Sequence, residues 1–132
     1  MLEHYVKTVN IEALTCLHIA HRQIIPAVIA FTGQLADAAR ANKAAGVKGV
    51  LAARLLKKAD ALSDRLGSAV AALEKTLAEC GGEKKLEKKA RLYRDRVMRD
   101  MAAVRVSADA LETIVDSRLW PLPSYAEMLF YR

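Results

Sequence analysis

The 132-residue chain carries a formal net charge of +6, with 53% apolar, 27% charged and only 5% aromatic residues, six glycines and three prolines. A domain of this size buries a working core without metal or disulfide staples, yet it is short for a complete multi-substrate enzyme. The longest apolar run, Ile24 to Phe31 with Pro26 inside it, falls far below the roughly 20 residues of a membrane helix, so no membrane partner is expected, and two cysteines without a charged-then-apolar leader point to a reducing, cytoplasmic setting.

Alanine and leucine abound, β-branched and aromatic residues are sparse, and no stretch alternates apolar and polar over strand length. The expected class is therefore all-α. The first predicted helix, about 2–41, places Tyr5, Val9, Cys16, Ala20, Ile24, Val28, Phe31 and Leu35 mostly three or four apart, on one face. Pro26 lacks an amide donor and crowds the preceding turn, which predicts a kink around Gln23 to Ile25. Periodicity stops between Asn42 and Gly49, where two glycines mark a connection.

The second predicted helix, about 47–80, repeats Leu51, Leu55, Ala59, Leu62, Leu66, Val70, Leu73 and Leu77 and stops at Cys80-Gly81-Gly82. The third, about 83–118, carries Leu86, Ala90, Tyr93, Val97, Met101, Val104, Ala108, Leu111 and Val115 at steps close to a heptad seam. Helices of about 35 to 40 residues reach roughly 50 to 60 Å at 1.5 Å per residue. Short connections make successive helices antiparallel, so the expected architecture is a single domain, 1–132, built as an elongated antiparallel three-helix bundle.

Residues 119–132 change character. Pro121 and Pro123 force an extended stretch, Ser124 with Glu127 has capping-box spacing, and the segment holds the single tryptophan, two of four tyrosines and one of two phenylalanines. Such a tail is expected to dock, either in the groove between the first and third helices or on a partner, with Trp120, Tyr125, Leu129 and Phe130 as anchors.

Few residues carry chemistry. His18 and His21 have a spacing that two imidazoles on one metal use, but no Glu-x-x-His accompanies them and His4 lies about 21 Å along the axis, so ordinary, partly buried histidines are expected rather than a metal site. Folding the second helix back on the first offsets Cys16 and Cys80 by about 9 Å, beyond disulfide reach, and leaves two thiols that behave as small apolar groups. No phosphate-binding glycine loop, activated nucleophile or carboxylate pair can be picked out, so no catalytic, cofactor-binding or metal-binding residue is assigned. The stretch from Glu83 to Arg105 holds nine basic and four acidic residues. Acids at helical spacing, as in Glu87 to Arg91, Arg91 to Asp95, Asp95 to Arg99 and Arg96 to Asp100, read as a solvated, self-paired face rather than a nucleic-acid surface.

The two ends carry a more specific pattern. The opening Leu2-Glu3-x-Tyr5-Val6-Lys7-x-Val9-x-Ile11-Glu12-Ala13, with Ile25-Pro26-Ala27-Val28 downstream, resembles the start of the helical C-terminal region of type III glutamine synthetases. The closing Val104-Arg105-x-x-Ala108-Asp109-x-Leu111-Glu112, followed by Trp120-Pro121-Leu122-Pro123-x-Tyr125-x-Glu127-Met128-Leu129-Phe130, looks like the end of the same region. The resemblance implies a non-catalytic structural and assembly module of an ATP-dependent glutamate-ammonia ligase. That parent enzyme would make glutamine from glutamate, ammonia and ATP on a separate catalytic domain with bound divalent metals, and would form large ring oligomers. The implied partners are the catalytic domain and neighbouring subunits, and no cofactor is expected on this chain. The competing readings are an independent helical module that binds an acidic protein and, less favoured, a helical nucleic-acid binder.

Overall fold

The computed structural model describes residues 1–123. The chain forms α1 (Leu2–Ile19), a π-helical turn (Ala20–Ile24), α2 (Ile25–Ala44), α3 (Val50–Gly81), α4 (Leu86–Leu92), a second π turn (Tyr93–Val97) and α5 (Met98–Glu112). The π turns interrupt hydrogen bonding but not direction, so three long rods result, and the fold is an all-α bundle with no strand among the described residues.

Where a kink is expected, around Pro26, the structure has the first π turn within a continuous rod. Pro26 cannot donate, and its ring crowds the carbonyl four residues back; widening the preceding turn, with the Ile25 amide donating to the Ala20 carbonyl, absorbs both. The second π turn contains no proline. The Met98 amide donates to the Tyr93 carbonyl five residues back, which keeps Tyr93, Val97 and Met101, spaced four and four, on one buried line.

Two tight connections reverse the chain. After α2, the Val47 amide donates to the Asn42 carbonyl and the Gly46 amide to the Lys43 carbonyl, a Schellman motif with Gly46 at φ +78°. Gly49 then opens α3 at φ +54°, beside the Asn42 side chain, where a Cβ would come within 2.8 Å of the Asn42 Cβ. After α3, the Glu83 carboxylate accepts the Lys85 amide at 3.2 Å and lies 3.5 Å from Lys88 Nζ, closing the turn into α4.

The rods alternate in direction. His21 Nε2 lies 3.4 Å from Glu74 Oε1, and Ile25 and Thr32 face Leu66 and Asp60, so α3 runs back along α1 and α2. The Tyr93 hydroxyl donates to Asn10 Oδ1 at 3.2 Å, while Ile24 and Ala108 share a groove, so the third rod runs in the direction of the first. Their shared core holds Ala13, Leu66, Leu73, Cys80, Val97, Met101, Val104 and Leu111, all almost fully enclosed. Burying each large aliphatic side chain contributes about 1.5 to 3 kcal/mol. Polar groups in this core are satisfied: Thr76 donates its hydroxyl to Asp100, and Ser107 donates to the Ala103 carbonyl at 3.0 Å. No buried side-chain nitrogen or oxygen among the described residues lacks a partner.

The rods are unequal, which corrects the expectation of three similar lengths. The first covers 43 residues and α3 covers 32, whereas the third has segments of seven, five and fifteen. The third ends at Glu112 rather than near residue 118 because the chain turns at Asp116. The Asp116 backbone carbonyl accepts the Leu119 and Trp120 amides at 2.9 and 3.2 Å, and its carboxylate accepts the Arg118 amide at 2.9 Å. With Ile24 level with Ala108, the far ends of α2 and α3 extend past the third rod and pack on each other as a two-helix hairpin.

By length and composition the continuous first rod is apolar enough to cross a membrane, which the broken apolar run did not anticipate. Its buried residues, from Val6 to Phe31, belong to the core shared with α3 and the third rod.

Candidate docking site

The turn at Asp116 sends the chain back across the bundle. Ile114, Leu119, Trp120 and Leu122 are partly buried against the core, and Leu122 joins Cys16, Ile19, Ile24, Val104 and Ala108 around an apolar groove of about 380 Å³ between the first and third rods. Arg118 holds the turn through the Asp116 carboxylate, with Nη2 2.7 Å from Oδ2. That hydrogen bond, with the Arg118 amide, keeps the Asp116 carboxyl below the usual carboxylate range. Of the four predicted anchors, Trp120 thus lies half-buried against its own bundle. Tyr125, Leu129 and Phe130, with the Ser124 to Glu127 capping pair, lie outside the described residues.

Charged and thiol groups complete the picture. His21 faces Glu74 and His18 is exposed, so neither is the partly buried histidine expected from the sequence. Among the described residues, no three His, Cys, Asp or Glu side chains gather as a metal site would require. Both cysteines are free, and burial pushes both thiols up, Cys80 from a fully enclosed position and Cys16 from the groove wall.

The basic stretch from Glu83 to Arg105 is paired in part, at four of its nine cations, and not through the expected contacts. None of the four predicted four-residue pairs forms. Three of them cross the second π turn, where residues four apart no longer stack above one another. Lys88 meets Glu83 instead, Arg94 and Arg99 meet their neighbours Asp95 and Asp100, and Arg96 reaches across to Glu79 of α3 at 2.7 Å. The Arg96 hydrogen bond lowers the Glu79 carboxyl, as Arg94 lowers Asp95.

One surface was missed in the sequence. Between Asp37 and Asp60 the chain holds Arg40, Lys43, Lys48, Arg54, Lys57 and Lys58 and no acid. These residues sit on the two-helix hairpin, and all six are exposed. The signal is legible as a run free of acids, overshadowed by the larger number of cations between Glu83 and Arg105.

With this geometry in hand, residues 1–43 match the protein family described as the glutamine synthetase C-terminal domain. Across 98% of its length the chain is 27% identical to a glutamine synthetase of Butyrivibrio fibrisolvens. The chain is similar to the C-terminal part of a glutamine synthetase. It spans about a fifth of the length of that curated relative, 19%. The family match covers α1, its π turn and most of α2, whereas the glutamine synthetase alignment extends through α3 and the third rod. No solved structure matches the chain.

Proposed function

We propose that this chain is the non-catalytic C-terminal assembly module of a type III glutamine synthetase, an enzyme that makes glutamine from glutamate, ammonia and ATP in the cytoplasm. The observation that carries the reading is the span of the similarity: nearly the whole chain aligns with one fifth of a glutamine synthetase. The type III assignment is supported by the two terminal patterns, Leu2 to Val28 and Val104 to Phe130, in the same order as in that family's helical region. ATP and the divalent metals belong, in this reading, to the remainder of the enzyme.

The module's work is then mechanical. A rigid bundle presents the tail that leaves Asp116, with Trp120, Tyr125, Leu129 and Phe130 as its anchors, to the catalytic body and to neighbouring subunits. The test is to substitute Trp120→Ala and Phe130→Ala together in the full-length enzyme and measure its mass by light scattering and its glutamine-forming activity. Smaller assemblies with reduced activity are expected; an intact assembly of unchanged activity contradicts the role given to the tail.

A further inference from the structure

We propose that the tip of the α2–α3 hairpin is a second docking surface, built for an acidic, carboxylate-bearing face on the remainder of the enzyme. The proposal rests on the assembly reading above and adds to it a site and a partner chemistry.

Three observations carry it. The first is placement: among the described residues the hairpin extends beyond the third rod, and its outer end is formed by α2 and α3 alone. The second is charge. Its six cations meet no acid between Asp37 and Asp60, and among the described residues only Arg40 has an ion-pair partner, Asp37 at the edge of the run. On α3, Arg54, Lys57 and Lys58 fall three and four apart on one face, an arrangement of like charges that works against the isolated helix. The stretch from Glu83 to Arg105 shows a contrast of degree: four of its nine cations, Lys88, Arg94, Arg96 and Arg99, each have a carboxylate, and acids are interspersed along it, whereas the tip run has one paired cation at its edge and no acid inside it.

The third observation is the apolar centre. Val47, Val50 and Leu51 are 56%, 55% and 66% exposed at the turn, with Val50 one helical turn from Arg54 on the same face. Exposed aliphatic side chains ringed by charge have the layout of a protein interface, with an apolar middle and a polar rim. No aromatic residue occurs between Phe31 and Tyr93, so the tip has nothing on which to stack a base. A second copy of the tip would bring six cations against six and is repelled. An acidic protein face satisfies both the charge and the apolar centre.

The experiment compares three forms of the 132-residue chain for binding to the remaining, catalytic portion of the parent enzyme, at about 50 and 200 mM salt. The forms are wild type, a tip variant (Lys43→Glu, Lys48→Glu, Lys57→Glu, Lys58→Glu) and a control with equal charge change on the third rod and its approach (Lys84→Glu, Lys85→Glu, Lys89→Glu, Arg91→Glu). Circular dichroism confirms that all three remain helical. The tip variant is expected to bind at least about tenfold more weakly and to lose most of the salt dependence, while the control stays within about twofold. Equal binding by wild type and tip variant, or an equal loss in the control, overturns the tip proposal and leaves the assembly reading standing. Absence of any wild-type binding defeats the assembly reading and the tip proposal with it. Should wild type bind a short DNA duplex or phosphatidylserine vesicles more tightly than the catalytic portion, and the tip variant lose that binding, the acidic-protein assignment is overturned.

Discussion

The two ends of the bundle share the first rod and α3 and solve different problems. Where three rods run together, Leu73, Cys80, Val97 and Leu111 are sealed from water and four of the nine cations between Glu83 and Arg105 are matched by Glu79, Glu83, Asp95 and Asp100. Where only α2 and α3 remain, Leu55 and Leu56 are half-buried, Leu51 is exposed, and six cations stand without acids among them. The first arrangement seals its core and pairs part of its charge within itself. The second leaves apolar area and charge open on one protruding feature, as a surface completed by another molecule does.

The largest effect that separates the ends comes from truncating matched leucines. Leu73→Ala in the three-rod core is expected to cost about 3 to 5 kcal/mol in urea unfolding, because the enclosed site cannot collapse around the void. Leu55→Ala in the hairpin is expected to cost about 1 to 2 kcal/mol, since Leu55 is only half-buried. Equal losses would erase the distinction between the two regions.

Next in size is the turn that closes the hairpin. Gly49→Ala places a Cβ against Asn42 at a positive φ and is expected to cost about 1 to 2 kcal/mol, more than Gly46→Ala, whose added Cβ meets nothing. Combining Gly49→Ala with Asn42→Ala should recover part of the loss, because the contacts with the Asn42 side-chain amide go while the 2.8 Å approach to the Cβ at position 42 and the backbone strain stay. Thermal melts of wild type and the three variants provide the comparison, and full recovery would contradict the strain.

Acid should affect the three-rod end first. Asp116, Glu79 and Asp95 are held below the usual carboxylate range, each foremost by a hydrogen bond from arginine. A lowered folded value means that the stabilisation is complete above the ordinary value of about 4 and fades as pH falls through the lower folded one. Trp120 emission is therefore expected to change below pH 4 as the Asp116 turn loosens, and Asp116→Asn should abolish that step. A step centred well above pH 4 would contradict the assignment.

The smallest contrast is in thiol access. Cys80, enclosed and with a thiol pushed up by burial, should react with a disulfide reagent only as the bundle opens, whereas a thiol introduced by Leu55→Cys should react many times faster. Equal rates would mean that the two regions open together.

Much of this organisation was legible in the sequence, because leucines and alanines three and four apart must face a neighbour. The glycine pair after Cys80 and the glycines flanking Val47 marked both reversals, and Pro26 marked the first irregular turn. The second irregular turn was visible only as two successive steps of four, Tyr93 to Val97 to Met101, inside an otherwise alternating seam. Overlooking it transferred four-residue charge pairs onto a turn whose geometry does not support them. The early end of the third rod depends on Asp116 capturing its own downstream amides, an event that periodicity does not encode. The basic tip was written in the composition, yet its isolation became evident only once the third rod was seen to stop short of it.

Size-exclusion chromatography with light scattering on this chain, alone and mixed with the catalytic portion of the glutamine synthetase proposed as its parent, tests the proposed assembly role most directly. Co-migration with growth of the catalytic portion into larger assemblies is the predicted result. Separate elution, with the mass of the catalytic portion unchanged by the chain, would contradict it.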